Sequence, residues 1–223
     1  MISIIIPVYN HALYTYRTIE SLIENTNSKF KLIMIDDGST DDTKNYAIEL
    51  TKRLRSSFYY GQNEGNKGVH YSWNAGLRVA FNNNEDYIAI INNDLLFTKD
   101  WDLPLITALN SFKLVSPYCT NRDLPDDWPQ GKDRAPNPAG IDILGACFMA
   151  RTKTWREIGL FPEAMKHYFG DNWLVDRVGK ENCQQVKESY IHHFFCMTTT
   201  QLNNNFWFAK DGEEYNNLKI DKI

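Results

Sequence analysis

The chain has 223 residues, 43% of them hydrophobic and 23% charged, and a formal net charge of −4. This is globular composition with ample length for a core of its own, and it lacks the basic stripe that a nucleic-acid partner requires. No apolar run approaches the roughly 18 residues that cross a bilayer, so no transmembrane segment is expected. The first seven residues are too short a run for a secretory leader and carry neither a basic flank nor a cleavage site. Cys119, Cys147, Cys183 and Cys196 form no C-x-x-C pair, which disfavours a zinc knuckle. Cys147 sits in an apolar run and reads as a buried thiol; the expected compartment is the reducing cytoplasm.

Taken in chain order, Ile2–Val8 is a continuous β-branched run, the pattern of a parallel strand buried on both faces. Asn10 is placed to cap a helix whose apolar positions include Leu13, Tyr16, Ile19 and Ile23. Residues 30–35 read as a second strand. Ser39 or Thr40 caps a helix running to about Leu54, with Asp41 and Asp42 favourable in its first turn. Residues 58–60 form a short strand, Val69–Phe81 a helix and Tyr87–Ile91 another buried strand. Residues 117–140 hold five of the eight prolines and read as a long functional loop. A strand is expected over 141–150, a short helix over 153–158, a helix over 171–178 and a last strand over 185–191. The tail after Thr200, with Phe206, Trp207 and Phe208, is expected as a helix that packs back.

Strands alternating with helices predict an α/β fold with a parallel sheet. Ligands in such sheets bind beyond the carboxyl ends of the strands. Three polar clusters stand at those ends: PVYN at 7–10, DDGS at 36–39 and NND at 92–94. A turn with a helix cap accounts for Ser39 and Asp41 but leaves Asp36 and Asp37 adjacent and repelling; a carboxylate there could instead accept the N3–H of a uracil ring. An EF-hand fails because its twelfth position holds Ala47, where a bidentate Glu is needed. Asp94 is a hard oxygen ligand on a rigid strand end, suited to Mg²⁺ or Mn²⁺, or else part of an Asx turn. Asp171 lies among Tyr168, Phe169 and Trp173, where desolvation raises a carboxylate's basicity; its structural alternative is a helix N-cap. His192 and His193 follow a strand and face opposite sides. There is no G-x-G-x-x-G after the first strand, no P-loop and no G-x-S-x-G elbow.

In order and spacing, these residues resemble the family 2 glycosyltransferases with the GT-A fold, from Ile2 to about Thr200. The carriers are IIIPVYN at 4–10, IDDGSTD at 35–41, NEGNKG at 63–68, NAG at 74–76, NND at 92–94, GACFMA at 145–150, Gly170-Asp171 and His192. The resemblance implies a mostly parallel Rossmann-like sheet with flanking helices and a smaller acceptor-side region. Residues 1–95 would be the nucleotide-binding half, 96–200 the acceptor and catalytic half, and 201–223 a tail. It implies that Asp37 bonds the base, framed by Pro7 and Tyr9, with Asn66 and Gly68 beside the nucleoside. Asn93 would approach the ribose or diphosphate, and Gly145 the donor sugar. Asp94 would ligate Mn²⁺ or Mg²⁺, His192 would touch the metal or diphosphate, and Asp171 would be the general base. The chain departs from the resemblance at Asn92-Asn93, where many members of that family carry at least one more acid.

The expected activity is inverting transfer of a sugar from a nucleoside diphosphate, by resemblance UDP, to a hydroxyl of a glycan or other acceptor. A sugar-1-phosphate nucleotidyltransferase would need a glycine-rich basic loop where PVYN stands. A non-catalytic nucleotide-sugar or glycan-binding protein on the same fold is the other reading, and retained Asp94 and Asp171 argue against it.

Overall fold

The computed structural model describes residues 1–121, 128–129, 143, 145–194 and 204–220. Among the described residues, eight strands form one sheet, in the order β3 (Phe58–Gln62), β2 (Phe30–Asp36), β1 (Ile2–Val8), β4 (Tyr87–Ile91), β7 (Cys147–Arg151), β6 (Leu114–Asn121), β8 (Cys183–His193) and β5 (Leu95–Phe97). The first half comprises β1 (Ile2–Val8), β2 (Phe30–Asp36), β3 (Phe58–Gln62) and β4 (Tyr87–Ile91), all parallel. In the second half the sheet turns mixed: β7 (Cys147–Arg151) runs antiparallel to both β4 and β6 (Leu114–Asn121). β8 (Cys183–His193) runs parallel to β6 and antiparallel to the short edge strand β5 (Leu95–Phe97).

All seven residues of β1 are buried, which is why its sequence does not alternate. One apolar layer holds Ile4, Ile6, Leu32 and Met34 against α1 (Ala12–Asn25) and α2 (Thr43–Leu54). The opposite layer packs Ile5, Ile33 and Ile90 on α3 (Val69–Phe81), α5 (Thr152–Ile158) and α6 (Gly170–Val178). A short α4 (Asp102–Ala108) and a C-terminal α7 (Asn204–Ile220) are the other described α-helices. No described helix is long and apolar enough to cross a membrane.

Several expectations are corrected. Leu13 and Tyr16 are exposed, and the buried face of α1 is Thr15, Thr18, Ile19 and Leu22. The reason lies in β5, an edge strand whose free N–H groups need acceptors. Thr18 Oγ1 accepts the Leu95 N–H at 2.9 Å and Ser21 Oγ accepts that of Phe97 at 3.3 Å, so a hydroxyl-bearing stripe is the one that must be buried. Asn10 does not cap its own helix; with Asn10 and His11 both left-handed, at φ 54° and 57°, its Oδ1 accepts the Thr40 N–H at 2.8 Å. Neither Ser39 nor Thr40 caps α2, which starts at Thr43, with Asp41 Oδ1 accepting the Thr43 N–H at 3.1 Å.

Residues 117–121, expected as loop, belong to β6, and Pro117 is tolerated because the register with β8 shifts between Pro117 and Tyr118, a bulge position. The rest of that stretch lies outside the described residues, apart from Trp128 and Pro129. The strand expected over 141–150 starts only at Cys147, with Gly145 in the turn before it. β5, α4 and the start of β6 were not anticipated. α7 does form and packs back through Asp211 and Tyr215, both buried.

Candidate active site

The carboxyl ends of β1, β2 and β4 meet where the strand order reverses around β1, the place where open α/β sheets bind ligands. A pocket there is lined by Pro7, Val8, Tyr9, Asp37, Asn66, Val69, Ser72, Trp73, Asn92, Asn93, Asp94, Gly145 and His167. The first two strand-end clusters are knitted together. Ser39 Oγ accepts the Asn10 N–H and Asp41 Oδ2 that of Ala12, each at 2.8 Å.

Asp36 and Asp37 divide their work. Fully buried Asp36 accepts the Ser39 N–H at 2.8 Å and the Tyr60 hydroxyl at 2.8 Å, so it closes the turn. Asp37 reaches the other way, into the 63–68 segment. It accepts Asn63 Nδ2 at 2.7 Å, the Lys67 N–H at 2.9 Å and the Gly68 N–H at 2.9 Å. Burial pushes its carboxyl above the ordinary range, and these three bonds pull it back. Gly38, at φ 83°, lets the segment close down: a Cβ there would lie 2.5 Å from Gly65 Cα. Asp37 thus holds the wall that carries Asn66, and Gly68 acts through its N–H rather than by lining the pocket. If this pocket takes UDP, as the family resemblance implies, Asp37→Ala is expected to weaken its binding by roughly 1–3 kcal/mol, the scale of a charged hydrogen bond. Unchanged affinity by calorimetry would separate Asp37 from the nucleotide.

Asn93 lines the pocket and donates to Thr15 Oγ1 at 3.0 Å. Asp94, just before β5, is nearly buried, and its Oδ1 lies 3.1 Å from His193 Nε2. The antiparallel register Leu95↔His193 produces that pairing. The expectation of His192 on this side is therefore corrected. β8 continues through both histidines, so they alternate, and His192 faces away: its Nδ1 is 2.9 Å from Thr120 Oγ1, and its ring sits edge-on to Trp128 and Phe194.

A divalent ion fits this donor set. Adjacent ligands on an octahedral ion bound at about 2.1 Å sit about 3 Å apart, close to the Asp94–His193 spacing, and an oxygen–imidazole pair suits Mn²⁺. No cluster of three His, Cys, Asp or Glu exists among the described residues.

Asp171 lies inside the first turn of α6, whose N-cap is Phe169 at φ 64°; it is not the cap. Its Oδ1 accepts the Asn172 N–H at 2.9 Å, and burial raises its carboxyl above the ordinary range. Its Oδ2 packs on Gly145 so closely that a Cβ there would approach to 2.8 Å. Gly145 is therefore the seam between the pocket and Asp171. Gly145→Ala is expected to displace that carboxylate and to cut turnover by up to roughly 10²-fold with donor affinity retained. Turnover equal to the parent's would mean that the carboxylate's position is not critical.

Of the expected residues, Pro7, Tyr9, Asp37, Asn66, Asn93, Asp94 and Gly145 share the pocket. Gly68 and Asp171 stand one contact behind it, and His192 faces elsewhere. Ser72, Trp73 and His167 line it without having been anticipated. The buried indole N–H of Trp73 has no hydrogen-bond partner among the described residues. Helix period alone could have put Val69, Ser72 and Trp73 on one face; nothing local marks His167.

The fold and this strand-end pocket define a GT-A glycosyltransferase domain. The family model for glycosyl transferase family 2 matches residues 3–178. The chain belongs to that family. It is 36% identical over 99 residues to a glycosyltransferase of Rickettsia felis, covering 44% of this chain and 15% of the relative. With a glycosyltransferase of Rickettsia typhi it shares 31% over 181 residues, covering 75% of this chain and 55% of the relative. It therefore spans only part of these relatives.

Among solved structures, GalNAc-T7 with UDP, GalNAc and Mn²⁺ superposes with a TM-score of 0.69 at 17% identity, covering 86% of this chain and 43% of that one. The mannosyltransferase PcManGT of Pyrobaculum calidifontis, in complex with GDP-Man and Mn²⁺, gives 0.67 at 14%, covering 92% and 59%. At these identities the likeness is one of fold.

Proposed function

We propose that this chain transfers a sugar from a nucleoside diphosphate, with UDP as the preferred nucleotide, to an acceptor hydroxyl, in one displacement that inverts the anomeric carbon. The observation that carries the reading is the convergence on one pocket of Asp37 with its bonded 63–68 wall, the Asp94–His193 pair, and Asp171 behind Gly145. UDP in the GalNAc-T7 complex and Mn²⁺ in both complexes support the donor class and the cation.

Asp94 and His193 would hold the cation, which would neutralise charge developing on the departing diphosphate. Pro7 and Tyr9 frame the base, and the Asp37-held wall places Asn66 beside the nucleoside. Asp171 takes the acceptor proton as its oxygen attacks. Its desolvated carboxylate is a stronger base than an exposed one. With one nucleophile and one leaving group on opposite faces of the ring, configuration inverts.

The test is a panel of UDP-sugars and GDP-mannose with Mn²⁺, read by released nucleotide and by the anomeric proton of the product. Turnover of a UDP-sugar with an inverted product supports the proposal. Binding of UDP with no turnover of any donor, under transfer or hydrolysis conditions, would make the chain a nucleotide-sugar-binding module instead. A retained configuration would overturn the single displacement.

A further inference from the structure

Helix α7 lies beyond the family-matched residues, yet it carries a fully buried carboxylate, that of Asp211. Its oxygens accept three consecutive backbone N–H groups: Lys166 at 3.0 Å, His167 at 2.7 Å and Tyr168 at 3.0 Å. Convergent backbone N–H groups of this kind form an anion nest. These bonds are part-buried, where a donor left without an acceptor is costly, and the acceptor for all three comes from an element more than 40 residues away in sequence.

The segment joins two parts of the site. On one side, the Lys166 carbonyl accepts the Val69 N–H at 2.7 Å, and the Met165 carbonyl takes His70 Nδ1 at 2.7 Å. Burial pushes the His70 ring down to about 4, so near neutral pH that ring is uncharged and Nδ1 donates. Val69 and His167 line the pocket. On the other side, Phe169 turns through the left-handed region and starts α6 at Gly170, one residue before Asp171.

We infer that Asp211 is a positioning residue: by capping the amides of Lys166, His167 and Tyr168 it fixes His167 at the pocket wall and sets the start of α6, and with it Asp171. Simple anchoring of the tail has its own contacts. Tyr215 donates to Asp176 Oδ2 at 2.5 Å and stacks on Phe169 with centroids 5.4 Å apart. Lys219 pairs with Asp176 at 3.2 Å. A carboxylate needed only for docking would not have to collect three amides of the segment that leads into the base. The wall abuts this segment where Val69 bonds Lys166, but its bonds to Asp37 do not involve Asp211, so loss of Asp211 should disturb the catalytic side more than the nucleotide side.

The rate arm of the test rests on Asp171 as base; the exchange arm does not. Asp211→Asn keeps the shape, but its amide nitrogen cannot accept, so at least one N–H loses its partner. Hydrogen exchange of the 166–171 backbone is expected to rise by about tenfold or more, the scale of one lost hydrogen bond, with β1 and β2 unchanged. UDP should still bind one per chain, which counts every chain as folded. Turnover of the active donor should fall about tenfold or more, with its KM within about twofold of the parent's. Tyr215→Phe, which loses the hydroxyl's contacts with Asp176 and Lys219 but keeps the ring on Phe169, should lower Tm and leave kcat unchanged.

Unaltered exchange at 166–171 in Asp211→Asn would overturn the inference. So would an equal loss of kcat in Tyr215→Phe. If the parent chain turns over no donor, the transferase reading fails and the exchange arm alone decides the inference.

Discussion

Asp171→Asn is expected to lower turnover by about 10²- to 10⁴-fold, the range for loss of a general base, with UDP affinity unchanged. An acceptor hydroxyl is a weak nucleophile near neutral pH, so its proton must leave as the new bond forms. Asn172 uses one Asp171 oxygen as acceptor, and an Asn side chain can keep that bond while losing all basicity.

The stability change has a definite sign. Burial raises the Asp171 carboxyl above 3.8 in the folded chain. A raised folded value favours the protonated acid, so stability is greatest below the unfolded value and is lost as pH rises through the folded one. Asn cannot ionise, so the variant should be at least as stable as the parent at neutral pH. The same shift places the acid limb of kcat/KM above the ordinary aspartate value. Turnover near the parent's would remove Asp171 from the chemistry, and loss of UDP binding would make it a ligand contact.

The first half of the chain was readable because its signals are local. β1 is a pure apolar run, α3 and β4 have the expected bounds, and each strand ends in a short polar motif that the α/β rule turns into one site. The second half was not readable for reasons that are tertiary. β5 is three residues long and its N–H groups are satisfied by Thr18 and Ser21 of α1, so neither its length nor the polarity of α1 betrays the packing. Pro117 looked like loop chemistry but sits at a bulge. Which histidine meets Asp94 depends on the register Leu95↔His193, and a one-residue change reverses the answer. His167 and Asp211 come together through a contact 44 residues apart in sequence, which no local pattern encodes.

Asp94→Ala is expected to abolish the part of donor binding that depends on Mn²⁺, without unfolding the chain. This protein carries a net negative charge, and no Lys or Arg is among the described residues that line the pocket. On the proposed reading, a divalent ion would neutralise a diphosphate brought beside Asp94. For the parent, UDP with Mn²⁺ at about 100 times its dissociation constant should add about 2.7 kcal/mol of stability. In Asp94→Ala, adding Mn²⁺ to UDP should add nothing further.

His193→Ala removes the neighbouring imidazole but leaves the carboxylate. Its Mn²⁺ affinity should fall by at least the roughly 10- to 100-fold that is lost with a group that only orients a metal ligand. His192→Ala should do something different. That ring is fully buried against Thr120, Trp128 and Phe194, so its removal leaves a cavity and lowers Tm, while the Mn²⁺ response persists. The three variants form one thermal-shift experiment. A parent-like Mn²⁺ response in Asp94→Ala would sink the cation site. A greater metal loss in His192→Ala than in His193→Ala would mean that β8 pairs with β5 one residue out of the register described, with His192 turned toward Asp94.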